Sequence, residues 1–357
     1  MRHLNILPLL IALTTCLSLT SCARKAYYDI STGADVADSG NYVVRWQVRP
    51  GMRGEVAIYA SDDAGSYPVE PTKVEPIGKE WATFATDGTV YSRHYFLLVF
   101  DDREMRVAGM RVIPTEGFAN LRDAGGYMTD EGYQMRWGRL YRGGRYRGLT
   151  PRDSLVIGSL GLKHNIVLSD AYSFVYLTNG IGNVVQKDFA ANTPIDYKSV
   201  LKRIDEGDMS KEGVILFIHD TFNSLAYENP EQLSAALHYL LDPDHYPVMI
   251  SDEWGKDRAA FLTMLVQYSL GVSRSDILSD YLLSNALLSV EKLAPQGFHA
   301  TPGRQEALSE FFRCRPSDLL SIITDIENKY GTIGNYMDQV LDFDESDRIR
   351  LRELLLY

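Results

Sequence analysis

Three cysteines in 357 residues are too few for a disulfide framework, and two of them, Cys16 and Cys22, lie near the start of the chain. One thiol, Cys314, remains beyond them, so no bridge is expected to staple the fold even in an oxidising compartment. Positive charge is also short. With 36 Lys and Arg against 47 Asp and Glu, a net charge of −11, the chain lacks the cation excess that nonspecific nucleic-acid binding needs, and no nucleic-acid partner is expected. The seven histidines form neither an HExxH pattern nor a paired ligand spacing, so no metal and no cofactor is expected. After the first 21 residues no run of about 18 apolar residues is present that would span a bilayer.

What is present begins with an export signal. Met1-Arg2-His3 precedes the apolar stretch Ile6 to Leu13, a basic and then hydrophobic order typical of secretory leaders. The stretch closes on Leu19-Thr20-Ser21-Cys22, which resembles the lipobox of bacterial lipoproteins. That resemblance implies cleavage after residue 21 and a lipid on Cys22. The expected location is the bacterial cell envelope, at the outer membrane and outside the cytoplasm, with residues 22–29 as a tether.

Residues 30–114 read as a small all-β sandwich. Tyr42, Val44, Trp46 and Val48 fall on one face of an alternating stretch, as do Val56 and Ile58 in a second. His94 to Phe100 and Met105 to Ile113 follow, with Asp101-Asp102-Arg103 as a turn. By size and its aromatic early strand the region resembles a fibronectin type III-like module. Trp46 is expected in the core rather than on a ligand platform.

The remainder, residues 115–357, is organised around one stretch. Val248-Met249-Ile250 is a short apolar run of the kind a parallel strand buried on both faces shows, and from Ala259 onward the pattern is helical. A strand that feeds a helix through a short loop aims several backbone N–H groups at one point, beside the positive end of the helix dipole. Gly255 allows close backbone approach, and Lys256 and Arg258 add charge, Arg as a fork suited to phosphate oxygens. The physical reading of residues 251–258 is an oxyanion cradle.

Gly255-Lys256-Asp257-Arg258 is similar, without a gap, to the signature loop of a bacterial branch of the cysteine-dependent tyrosine phosphatases, His-Cys-x-Ala-Gly-Lys-Asp-Arg-Thr-Gly. The flanks depart from it: Ser251 replaces His, Asp252 replaces the nucleophilic Cys, Trp254 replaces Ala, and Ala259 and Ala260 replace Thr and Gly. All positions that would support a thiolate are changed. Asn120-Leu121-Arg122-Asp123-Ala124-Gly125-Gly126-Tyr127, Met135 to Gly144, residues 271–285 and the last helices also resemble that branch. The implied fold is α/β: a mostly parallel central sheet flanked by helices, preceded by the β-sandwich.

The resemblance implies that Gly255, Lys256, Arg258 and Arg142 are binding residues, and that Asp252 and Asp257 stand at catalytic positions. The expected function is that of an inactive pseudophosphatase that binds a phosphorylated or anionic ligand, or an envelope protein, with the Asp252 carboxylate paired to Arg258 inside the cradle. The alternative keeps turnover on phosphotyrosine or another phosphomonoester through a non-cysteine route, with Asp252 as nucleophile or Asp257 activating water.

Further local expectations complete the reading. Arg136, Arg139, Arg142, Arg145 and Arg147 are candidates for a basic rim, with a solvated strand as the equal alternative. Thr150-Pro151 should open a helix that ends before Gly161, and Asn165 to Leu168 should be a buried strand. Residues 194–206 and 229–241 should be amphipathic helices. His219-Asp220, at the end of an apolar run, is a candidate acid/base pair, with a structural role favoured.

Overall fold

The computed structural model describes residues 28–357 apart from 38–39, 86–92, 146–147, 149, 170–183 and 192–195, and leaves the side chains of 296 and 298 undescribed. The expected lipid site Cys22 and the rim candidate Arg147 lie outside the described residues.

The N-terminal part is two facing antiparallel sheets. Strands β1 (Asp29–Val36), β2 (Tyr42–Arg49) and β5 (Trp81–Phe84) form one in the order β1-β2-β5; β3 (Glu55–Ser61), β4 (Lys73–Pro76), β6 (Tyr95–Phe100) and β7 (Glu104–Gly109) form the other in the order β4-β3-β6-β7. Alternation decides what lies between them. Val44, Trp46, Val56, Ile58, Phe96 and Leu98 point inward and are buried, as period-two side-chain placement requires. Trp46 sits in that core with its indole N–H on the Ile77 carbonyl at 2.7 Å.

Two expectations need correction here. The run expected as one strand from Met105 to Ile113 stops at Gly109, and Ile113 instead packs with Phe118 and Leu121 of the following segment. The tether expected through Asp29 ends sooner, because Asp29 already pairs with Arg49 in β1.

The second part holds a five-stranded sheet of β8 (Arg122–Asp123), β9 (Leu140–Gly144), β10 (His164–Ser169), β11 (Val185–Ala190) and β12 (Val248–Asp252), in the order β11-β10-β12-β9-β8. The four longer strands run parallel and only β8 is antiparallel. The central strand β12 is buried at all five positions, which is why its sequence is an unbroken apolar run before the loop.

Helices cover the sheet: α1 (Pro151–Ser159), α2 (Tyr197–Glu206), α3 (Lys211–Glu228), α4 (Pro230–Tyr239), α5 (Arg258–Leu270), α6 (Arg274–Leu287), α7 (Val290–Leu293), α8 (Pro302–Phe312), α9 (Pro316–Tyr330), α10 (Ile333–Leu341) and α11 (Glu345–Leu355). Helix α1 starts as its sequence requires: Thr150 and Asp153 form a reciprocal capping box with Pro151 in the first turn. Helix α5 is buried almost all round, so its sequence is apolar on every face rather than amphipathic. No helix among the described residues is long and apolar enough to cross a membrane.

The apolar run ending in His219-Asp220 lies in the middle of α3, an 18-residue helix capped by Ser210. Val214, Phe217, Ile218, Thr221, Phe222 and Leu225 are its buried stripe, and that three-to-four-residue spacing was the signal a helix would have left. His219 and Asp220 face solvent on its outer side.

The two parts are packed by polar contacts as well as apolar ones. Arg93 of the sandwich reaches Asp123 at 2.6 Å in a fully buried pair, and Gln134 bonds both the N–H and the carbonyl of Val107, at 2.8 and 2.9 Å. Gly126 is required here: its φ is +82°, and a Cβ at that position would overlap the Trp137 ring.

Candidate active site and its occupied cradle

The end of β12, the loop and the first turn of α5 place Asp252, Gly255, Lys256, Asp257 and Arg258 together, all inside the protein. The Asp252 carboxylate lies in the cradle. One oxygen accepts from the Trp254 N–H at 2.8 Å and from the Gly255 N–H; the other accepts from Asp257 at 3.2 Å and Ala259 at 2.9 Å. Four backbone donors that a strand-loop-helix turn would offer to an oxyanion thus meet a side chain of the same loop. The placement is favourable because the carboxylate answers N–H groups at the α5 N-terminus that have no partner within the helix.

Arg258 does something else. Its Nε donates to the Ala191 carbonyl at 2.7 Å and its guanidinium lies 4.6 Å from the Tyr197 ring centre. The expected ion pair between Asp252 and Arg258 is absent, because the backbone donors hold the carboxylate on one side and the guanidinium is drawn toward Ala191 and Tyr197 on the other.

Lys256 and Asp257 form a buried pair at 2.8 Å, and the Tyr197 hydroxyl donates to the other Asp257 oxygen at 2.8 Å. Burial works against the Lys256 ammonium, yet Asp257 beside it holds its pKa above the ordinary lysine value. Both Asp257 oxygens are therefore engaged. Trp254 closes the outer side, edge-on to Phe312 at 4.8 Å and to Phe311 at 6.4 Å.

Behind the loop stands a bracing network. Arg142 on β9 donates to the Gly255 carbonyl at 2.9 Å and to Asp280 of α6 at 2.6 Å. Arg122 on β8 takes the other Asp280 oxygen at 3.1 Å and also bonds Asn120. Asn120 in turn donates to the Trp254 and Gly255 carbonyls at 3.1 and 2.9 Å.

Two guanidiniums share one carboxylate, and the shifts record the imbalance. Burial opposes the Asp280 charge, but Arg122 and Arg142 hold its pKa down at about 2. Burial and the neighbouring Arg122 pull Arg142 down to about 10 in spite of Asp280. The carboxylate is the better satisfied partner.

The sequence-predicted residues thus divide by position. Asp252, Gly255, Lys256, Asp257 and Arg258 are brought together. Arg142 joins them from behind, bracing the loop. Of the rim candidates, Arg136 bonds the Leu356 carbonyl and Arg139 lies over Tyr246, both away from the loop, whereas Arg145 pairs with Glu253 of the loop at 3.1 Å. His219 and Asp220 are elsewhere.

Sequence reasoning missed the roles of Asn120, Arg122, Asp280 and Tyr197. The first three lie in segments already matched by motif, but no spacing rule joins residues so far apart in the chain. Cys314 was also placed too vaguely: it is buried near Lys256 and Arg142, with burial pushing its thiol pKa up and those cations opposing that shift. A thiol kept neutral is not an activated nucleophile. Among the described residues no cluster of His, Cys, Asp and Glu is arranged to hold a metal ion.

Comparison with known proteins agrees on the larger part of the chain. Residues 113–357 match the sequence profile of the tyrosine phosphatase family. A provisionally named tyrosine-protein phosphatase of Cupriavidus necator is 25% identical over 262 residues, covering 67% of this chain and 87% of that protein. The core catalytic domain of the PP-IP phosphatase SIW14 from S. cerevisiae, solved with citrate, aligns with 62% of this chain and 96% of its own, at 15% identity and a TM-score of 0.30.

Proposed function

From the premise that this chain belongs to the tyrosine phosphatase family over residues 113–357, we propose that it is a catalytically silent member, anchored in the cell envelope through Cys22, that acts by binding. The observation that carries this reading is the Asp252 carboxylate on four backbone N–H groups of the loop. In a working cysteine phosphatase those donors serve the transferring phosphoryl group, and the nucleophile attacks from beneath it. Here an anion of the protein's own takes the place, and a second anion would meet it at short range in a poorly solvated pocket.

The rival route, water activated by Asp257 or attack by Asp252, has little support in the geometry. Asp257 is held by Lys256 and Tyr197, and the Asp252 oxygens are held by the loop. Losing an activated nucleophile alone costs several orders of magnitude in rate. The support for envelope anchoring is the Leu19-Thr20-Ser21-Cys22 pattern.

The test is hydrolysis of an aryl phosphate, paired with phosphate titration calorimetry, on wild type and Asp252→Ala. The expected result is no turnover by either, no phosphate binding by wild type and measurable phosphate binding by Asp252→Ala. Turnover by wild type that Arg258→Ala abolishes would overturn the reading. Mass spectrometry of the membrane fraction tests the anchor, with a diacylated or triacylated N-terminal Cys22 expected.

A further inference from the structure

A cavity of about 740 Å³ opens where the sandwich meets the larger part, lined by β6, β7, the turn at residues 62–67, the segment 132–139 and the C-terminal Tyr357. Its volume and its position between two packed units are those of a small-molecule site. Two features of its lining point to a ligand. First, three of the chain's large exposed apolar side chains gather there: Met105 at 63%, Tyr133 at 52% and Tyr357 at 39% exposure.

Second, its polar groups are incompletely answered. Arg136 and Arg139 line the cavity together, and neither forms an ion pair among the described residues, in a chain whose net charge is −11. The Arg139 Nε and the Tyr67 hydroxyl are buried without a hydrogen-bond partner among those residues. Buried donors left open are uncommon in native proteins and mark a missing partner. Burial, and Arg136 nearby, lower the Arg139 pKa below its ordinary value, outweighing the opposite pull of Asp63 in the same lining.

We propose that this cavity binds a small organic anion with a flat apolar or glycosidic face, its carboxylate held by Arg139 and Arg136 and its body laid against Tyr133, Tyr357 and Met105. Arginine is the side chain suited to a carboxylate because its planar fork donates two parallel hydrogen bonds. Aromatic side chains present the broad face on which a ring or a sugar packs. The site is separate from the Asp252 cradle, so its failure would leave the silent-phosphatase reading untouched, and the reverse holds too.

The experiment is calorimetric titration of the full chain with phenyl glucuronide, its neutral counterpart phenyl glucoside, and phenylpropionate. Phenyl glucuronide is expected to saturate and to bind roughly tenfold more tightly than phenyl glucoside, the value of one charge-assisted contact. In Arg139→Gln that preference should vanish while the melting temperature is unchanged. In Tyr133→Ala both phenyl glycosides should weaken alike.

Phenylpropionate binding as tightly as the glucuronide would identify aromatic acids as the ligand source, and weaker binding would identify acidic glycosides; either supports the site. Equal affinity for the charged and neutral glycosides would overturn the proposal. So would a preference that survives Arg139→Gln, or no saturation by either acid below about 20 mM.

Discussion

The loop at the end of β12 and the cavity between the two parts of the chain are both rich in cationic groups, and they treat them in opposite ways. At the loop, Arg142 and Arg122 converge on Asp280, Lys256 meets Asp257, and the backbone donors meet Asp252. At the cavity, Arg136 and Arg139 form no ion pair among the described residues, although Asp63 lies in the same lining. The loop where this family's chemistry is expected is self-contained, and positive charge without an ion pair lies away from it, on the segment that holds Arg136 and Arg139. A charge compensated within the fold contributes to structure; one left open is available to a ligand.

Removing a charge should therefore cost stability at the loop and little at the cavity. The largest effect is expected for Asp280→Asn, which leaves two buried guanidiniums without their carboxylate. Chemical denaturation should show a loss of about 3–5 kcal/mol, the usual result of breaking a buried pair from one side. A loss within the noise of a surface substitution would mean that Arg122 and Arg142 do not depend on Asp280.

Asp252→Ala comes next. It strands backbone N–H groups in the interior, and about 2–3 kcal/mol should be lost. Added phosphate or sulfate should restore part of that in a thermal melt, whereas the wild type should not respond. If the variant melts like wild type, with or without phosphate, the carboxylate does not fill the cradle in solution.

Acid should find the same weak point. Asp280 has a folded-state pKa of about 2 against an ordinary value of 3.8, so its contribution is complete above pH 4 and is lost as pH falls through about 2. The shift corresponds to roughly 2 kcal/mol. Unfolding free energies measured from pH 5 to pH 2 should fall accordingly, and Asp280→Asn should flatten that part of the profile.

The smallest effect is expected for Arg139→Gln. With no ion pair to break, its stability should change by no more than about 0.5 kcal/mol. A loss of several kcal/mol would show that Arg139 is a structural cation and would remove the contrast between the two regions.

Much of this was legible in the sequence because it rests on local rules. The apolar run before residue 251 and the helical pattern after it follow from burial on both faces of β12 and all round α5. Thr150-Pro151 announced α1 through capping chemistry confined to four residues. Val44, Trp46, Val56 and Ile58 announced the sandwich through alternation, although β1, β4 and β5 passed unnoticed, with Gly33 and Ala34 in the first and only four residues in each of the others. The middle of α3 carried no element assignment because Ile215 to Ile218 is a continuous apolar run, in which a helical stripe shows only when the window extends to Leu225.

What the sequence determined by itself was the family, the strand-loop-helix turn and the carboxylate of Asp252 at its start, since each is a matter of residue identity within a short window. Tertiary structure alone decided which group that carboxylate would meet, that Arg142 would brace the loop from behind, and that Arg136 and Arg139 would open onto a cavity between two units. Those outcomes depend on groups far apart in the chain converging in three dimensions. Electrostatics and hydrogen bonding act over a few ångströms of space, whatever the separation along the chain.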